Sequence, residues 1–462
     1  MLSSSITPSL DEDSSTFVQT KTNMKFQFST AVFFAIISAV LLLSETTTKT
    51  TTTDAFIISP TIIGRISSPS IPVATTNYKN VPLLSSSLVT RSAGAGADND
   101  GASLKPYIEI LIAGERHLSA EETKAAFSAI LQGADEVQVG AFLTLLRARE
   151  ETTEEIAGAV EAMNEACQAV DLGAHHTKLL DIVGTGGDGA DTINISTASV
   201  VLAAACGCIV AKAGNRSVSS ACGSADVLEA LGVRVDLQPA EVVQCVNAVG
   251  IAFMFAPVNH PSMKYVAPVR KKLGVRTVFN ILGPMTNAAG ASRAVIGVFQ
   301  PELMAVMAGA LQRVGRVDHA VIIHGIGLDE ISPLGPATLL EIKNVAPDGA
   351  PKQYETTTFD FDPESIGIPR CQLADLKGGG PKENAEQFVD VLQGGSHTDA
   401  KRDSIVLNAG VGNWIYGLSA TIEEGCALAR TTLNEGKAST LLQKWITTSQ
   451  QIAADAESSS NQ

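Results

Sequence analysis

The chain has 462 residues, 45% hydrophobic and 18% charged, with 39 glycines and a formal net charge of −15. This is the composition of a globular protein long enough for two domains and extensions, and its acidic balance excludes nucleic acid as a bulk partner, so any anion site must be a local pocket. The seven cysteines follow no repeating frame, and Cys206-Gly207-Cys208 has no matching second pair; they read as reduced thiols in a reducing compartment, not as a disulfide scaffold or a zinc site.

The first hundred residues are a different material. Residues 31–43 form an unbroken apolar run a few residues after Met24-Lys25, too short for a membrane span and the right length for a signal-peptide core. Residues 55–97 contain no Asp or Glu, carry Arg65, Lys79 and Arg91, and are rich in Ser, Thr and Pro, as transit peptides are. The tandem resembles the bipartite presequence of nucleus-encoded proteins sent to complex plastids in algae, and Asp54-Ala55-Phe56 resembles the cleavage motif at its junction. The alternative is a secreted or membrane-tethered protein with a Ser/Thr linker. The lack of paired cysteines and the acid-free block favour the plastid stroma, with no membrane association once residues 1–100 are removed.

Residues 104–170 carry apolar positions at i, i+3 and i+4, the pattern of amphipathic helices. Ser119 with Glu122 reads as a capping box, and Asp135 and Thr153 head the next two helices. From residue 179 the grammar changes. Apolar strand-like runs alternate with helical stretches: 179–184 then 197–206, 208–214 then 226–231, 293–299 then 302–314, then 319–325. Such alternation argues a parallel sheet with crossover helices and catalytic loops at the strands' carboxyl ends. Residues 338–361 read as further strands, 427–447 as a final helix and the last dozen as frayed. The expected fold class is α/β: a small all-helical domain over 101–177, a larger α/β domain with a mainly parallel central sheet over 178–455, some mid-chain helices packing with the helical domain, and a tail over 456–462.

Three stretches carry chemistry. The run Asp181-Ile182-Val183-Gly184-Thr185-Gly186-Gly187-Asp188 leads into Asn194-Ile195-Ser196-Thr197 and an apolar helix. Glycines let the backbone approach a ligand and turn successive N–H groups inward, Ser and Thr can cap the helix, and a helix N-terminus attracts anions. The loop has neither the Lys-Ser/Thr of a nucleotide P-loop nor the spacing of a dinucleotide loop. It suits a phosphorylated small molecule; alone, it also suits a tight turn that needs glycine for geometry. Second, Lys212 to Ser220 sets two cations, one amide and three hydroxyls after a buried strand. That fits neutralisation of a pyrophosphate, or a solvated loop. Asp226 reads as the N-cap of the helix that follows. Third, Asp329-Glu330 sits just past a strand end, which suits Mg²⁺ or, equally, a surface turn.

Taken together, GTGGD (184–188), NIST (194–197), KAGNRSVSS (212–220), GSADVLEALG (223–232), APVRKKLGVRTVFNILGPMTN (267–287) and GLDE (327–330) resemble, in order and spacing, anthranilate phosphoribosyltransferase over residues 104–450. The resemblance implies a nucleoside phosphorylase/phosphoribosyltransferase-like fold, a homodimer, Mg²⁺ as cofactor, and transfer of phosphoribose from 5-phosphoribosyl diphosphate to anthranilate in tryptophan biosynthesis. It implies that Gly184, Gly187, Asp188 and Thr192 bind the diphosphate sugar, that Asn194, Ile195, Ser196 and Thr197 hold its 5-phosphate end, and that Ser196, Asp329 and Glu330 ligate the metal. Lys212, Gly214, Asn215, Arg216, Ser217, Val218, Ser219 and Ser220, with Ser224, resemble a mobile loop closing over the diphosphate; Asn215 and Arg270 resemble the anthranilate contacts. Lys212 and Arg216 would then absorb charge on pyrophosphate while Asn215 and Arg270 aim the amine, with no obligatory general base. The commonest bacterial pattern has His where Ala213 stands and paired histidines where Asn259-His260 stands; both departures fall in the implied acceptor pocket. A pyrimidine nucleoside phosphorylase, which shares this fold, would not need the Asp-Glu pair, nor would a non-catalytic binding protein.

Overall fold

The computed structural model describes residues 103–217, 220–394 and 399–460. The expected presequence, Val218, Ser219 and the last two residues lie outside the described residues. No described helix is long and apolar enough to cross a membrane.

Among the described residues, four helices come first: Lys105–Ala113, Ala120–Leu131, Glu136–Ala148 and Thr153–Glu165. Their starts are written locally. Ser119 and Glu122 form a reciprocal capping box, and the Asp135 carboxylate accepts from the amides of Val137 and Gln138. The fourth helix is capped by Thr152, not Thr153, because Thr152 is the threonine with a glutamate, Glu155, three residues ahead to close the box.

Seven strands form one sheet: β1 (Leu180–Gly184), β2 (Val210–Gly214), β3 (Ile251–Phe255), β4 (Arg293–Gly297), β5 (His319–His324), β6 (Ala337–Asn344) and β7 (Tyr354–Phe361), in spatial order β3-β2-β1-β4-β5-β6-β7. The first five are parallel; β6 and β7 add antiparallel at one edge. The fold is therefore the expected helical domain plus an α/β domain with a mainly parallel sheet.

Strand side chains alternate between faces, and two apolar cores result. Val295, Val321, Ile323 and Leu339 pack on one face with the helices Ile195–Cys206, Asp399–Tyr416, Ile422–Asn434 and Lys437–Ser460. Their neighbours Ala294, Ile296, Ala320, Ile322 and Leu340 face the other way, into a core shared with all four N-terminal helices and the helix Glu302–Val314.

Three further expectations are corrected. The single helix over 427–447 is two helices, Ile422–Asn434 and Lys437–Ser460, broken at Gly436 with φ +71°. Of the last dozen residues, 451–460 are not frayed: the helix continues to Ser460. Asp226 is not an N-cap. It is the third residue of the helix Ser224–Leu231, reaching back to the N-cap amide of Gly223 at 2.9 Å.

Candidate active site

Strand order reverses direction between β1 and β4, so a crevice opens beyond their carboxyl ends. Gly184 and Gly297 end these strands in register. The turn after β5 lies across both. A β-carbon on Gly297 would collide with the Asp329 carbonyl, and one on Gly184 with the Asp329 carboxylate. Glycine at both positions is what lets Asp329 reach the switch point. There its Oδ2 accepts from the Gly186 amide at 2.6 Å. Gly186, Gly187 and Gly189 have φ of +67°, +84° and +72°, left-handed values that favour glycine. This turn brings Asp188 to Asp329 and Glu330, one carboxylate oxygen from each lying within 4.8 Å of the others.

Burial and neighbouring negative charge act together on Asp329 and Glu330. Burial, then the nearby Asp188, pushes Asp329 up to about 6. Burial, then Asp329 and Asp188, raises Glu330 well above the usual carboxylate range. An oxygen-only donor set that strains against its own charge fits Mg²⁺, a hard cation held by few carboxylates plus water and phosphate oxygens. The sequence expectation grouped Asp188 with the sugar ligands; the structure sets it beside Asp329 and Glu330.

Lys212 lies beneath this cluster rather than in the loop above it. It is 1% exposed, and its Nζ donates to the Ile182 carbonyl at 2.8 Å. Burial pulls its pKa down, against the opposing pull of Asp181, Glu330 and Asp329. Asp181, equally buried, accepts from Asn287 Nδ2 at 2.7 Å and from the Ala213 amide at 3.3 Å.

Beside the acids, two helix N-termini meet. Asn194 is the N-cap of Ile195–Cys206, with no side-chain bond to its own helix. Its Nδ2 instead donates to the Cys222 carbonyl at 3.0 Å, and its Oδ1 accepts from Asn384 at 3.0 Å. Thr197 Oγ1 donates to Ser224 Oγ at 3.0 Å, tying this helix to the start of Ser224–Leu231. Ser196 is in the first turn, and neither it nor Thr197 caps the helix. Thr192 bridges to Lys377, and Lys377 Nζ holds the Ala190 carbonyl at 2.6 Å, backing the loop. Partial positive charge from both helix ends makes this corner an anion cradle.

The loop beyond β2 is held by its own contacts. Asn215 Oδ1 accepts from the Arg216 amide at 2.8 Å. The Arg216 guanidinium is bidentate on Glu229 at 2.6 Å, touches Asp226 at 3.1 Å and lies over the Phe255 ring. Ser217 and Ser220 join through their hydroxyls at 2.8 Å. Gly214 is pressed between Phe253 and Ser224, where a β-carbon would not fit.

Arg270 is half-buried over the Phe279 ring, 5.5 Å from its centre, and has no ion pair among the described residues. Asn259 is 1% exposed and donates to the Gln168 carbonyl at 3.3 Å, while its Oδ1 has no partner. His260 Nε2 meets the Thr286 carbonyl at 3.0 Å, and burial lowers its pKa. Sequence reasoning passed over Arg276, whose guanidinium donates to the Gly187 carbonyl and stacks on Phe299; its only signal was its place in the 267–287 stretch.

Residues 176–439 match the family model described as glycosyl transferase family, a/b domain, and residues 105–167 match the helical bundle domain of the same family. The anthranilate phosphoribosyltransferase of Chlamydia felis is 42% identical over 76% of this chain and 97% of its own length. That of Methanosarcina acetivorans is 45% identical over 72% and 86%. Among solved structures, the Thermus thermophilus anthranilate phosphoribosyltransferase aligns with a TM-score of 0.67 at 42% identity, covering 74% of this chain and 99% of that one. The Saccharomyces cerevisiae enzyme in complex with PRPP and Mg aligns at 0.68 and 29% identity, covering 75% and 98%. Both family domains are matched in order, around a crevice built for a phosphorylated ligand and a divalent cation, and the chain belongs to the anthranilate phosphoribosyltransferase family.

Proposed function

We infer that the protein catalyses magnesium-dependent transfer of phosphoribose from 5-phosphoribosyl diphosphate to anthranilate, giving N-(5-phosphoribosyl)anthranilate and pyrophosphate in tryptophan biosynthesis. The observation that carries this reading is the Asp188–Asp329–Glu330 cluster beside two helix N-termini at the switch point.

In this reading the glycine turn, Asp188 and Thr192 cradle the diphosphate sugar, and residues 194–197 hold its 5-phosphate. Ser196, Asp329 and Glu330, with Asp188 beside the two acids, would hold Mg²⁺. When bound, Mg²⁺ supplies positive charge beside the departing pyrophosphate. The amine nitrogen bonds to the anomeric carbon as the carbon–oxygen bond to pyrophosphate breaks on the opposite face, so configuration inverts, and the surplus amine proton leaves to water. The chain's part is positioning and charge stabilisation. Arg216 exchanges Glu229 and Asp226 for the diphosphate as the loop of Gly214, Asn215 and Ser217 closes with Ser224. Lys212 acts from beneath, as a buried charge behind the acids. Asn215 and Arg270 orient the acceptor, and the Arg270 guanidinium, without an ion pair among the described residues, suits its carboxylate. His260, held by a backbone carbonyl and pushed toward neutrality, is not needed as a base.

Loss of anthranilate fluorescence tests this directly. Loss only when Mg²⁺ and 5-phosphoribosyl diphosphate are both present supports the reading; no loss with both present refutes it.

Two further assignments rest on sequence and surface. Residues 1–100 deliver the protein to the plastid stroma, which a fluorescent fusion to that segment tests. The enzyme works as a homodimer. Ile112 and Val137, 67% and 78% exposed on the helical domain, are apolar surface that a second copy would cover, and the molar mass read by light scattering decides it.

A further inference from the structure

Arg276 bridges the two segments that flank the switch point. It follows the helix Ala267–Leu273, and its guanidinium carbon lies 4.1 Å from the centre of the Phe299 ring, two residues beyond the end of β4. From that platform Nη2 donates to the carbonyl of Gly187, in the turn after β1. The carbonyl belongs to the peptide that leads into Asp188. Gly186 and Gly187 are both left-handed, and a glycine turn has low intrinsic resistance to reorientation of its peptides. Two contacts oppose this: Asp329 holds the Gly186 amide on one side, and Arg276 holds the Gly187 carbonyl on the other. Asp188, next in sequence, is the acid that joins Asp329 and Glu330.

We propose that Arg276 is a positioning residue: stacked on Phe299 and bonded to the Gly187 carbonyl, it fixes the peptide that presents Asp188 to Asp329 and Glu330, and so readies the acid cluster for the diphosphate sugar and its divalent cation. The substrate named here rests on the function proposed above. A planar guanidinium suits the task because it stacks and donates at once, which an ammonium does not.

The test uses the full chain and Arg276→Ala, Arg276→Lys and Phe299→Leu. Titration calorimetry with 5-phosphoribosyl diphosphate and Mg²⁺ gives donor affinity without turnover, and steady-state kinetics gives KM for each substrate. Arg276→Ala weakens donor binding about tenfold, equivalent to about 1.4 kcal/mol. The donor KM rises in step, and the anthranilate KM moves less than twofold. Arg276→Lys recovers part of the loss, and Phe299→Leu shifts affinity in the same direction as Arg276→Ala. Unchanged donor affinity in Arg276→Ala overturns the proposal. So does a loss that falls on the anthranilate KM, or a general loss matched by a fall of several degrees in the ligand-free melting temperature. Wild-type protein that binds the donor but consumes no anthranilate would sink the acceptor assignment, while the ranking of donor affinities still decides the role of Arg276.

Discussion

Two glycines meet one aspartate, and alanine at each should fail differently. Neither Gly184 nor Gly297 has a left-handed φ, so alanine adds no backbone strain and only the collision matters. At Gly297 the new methyl meets the backbone carbonyl of Asp329, which cannot move without shifting the turn. Overpacking costs about 1–3 kcal/mol, and an immovable target puts Gly297→Ala near the top of that range. In a protein this size that is a melting-temperature loss on the order of 5 °C. At Gly184 the methyl meets the carboxylate of Asp329, which can rotate away. Stability then changes by less than about 1 kcal/mol, but the bond to the Gly186 amide breaks and the carboxylate leaves the acid cluster. A displacement of this kind costs turnover about a hundredfold. Calorimetry and anthranilate fluorescence, with Mg²⁺ titrated, separate the two effects. Gly184→Ala with wild-type turnover and Mg²⁺ requirement would refute the placement of Asp329, as would Gly297→Ala with an unchanged melting temperature.

The raised pKa of Asp329, about 6, and of Glu330 means that the folded protein takes up protons more readily than the unfolded chain. Without metal, this contribution to stability is present at low pH and lost as pH rises, through about 6 for Asp329. Mg²⁺ competes with those protons, so it should raise the melting temperature more at pH 8 than at pH 5.5, as differential scanning fluorimetry would read. Lys212→Met removes the positive charge that offsets the burial of Asp181; a loss of up to about 3 kcal/mol is expected in denaturant unfolding, partly restored by adding Asp181→Asn. Glu229→Gln loosens the bidentate hold on Arg216 and should lower the donor KM a few-fold in steady-state kinetics.

The parallel core of the sheet was legible because β1, β2, β4 and β5 are short apolar runs ending in glycine or polar loops. The helix Asp399–Tyr416 was not. Its residues from Asp403 to Asn413 are all buried, so no polar face marks a 3.6-residue period. The break at Gly436 was missed because residues 427–447 keep enough apolar residues to read through it. At the site, the glycine turn and the acid pair announced themselves by composition. The depth of Lys212 did not, since a lysine after a strand looks the same in sequence whether its amine turns outward or, as here, down to the Ile182 carbonyl. The partnership of Arg276 with Gly187 spans 89 positions, and no local pattern encodes a contact of that range.

One core joins residues from Leu104 to Ile342. The four N-terminal helices have no apolar interior of their own: they share one with a face of the sheet and with the helix Glu302–Val314. The boundary between the two family domains is thus a seam in the chain but not in the fold. Expressed alone, either piece would present a broad greasy surface to water, so a cut at the seam would leave both halves without the interior they share.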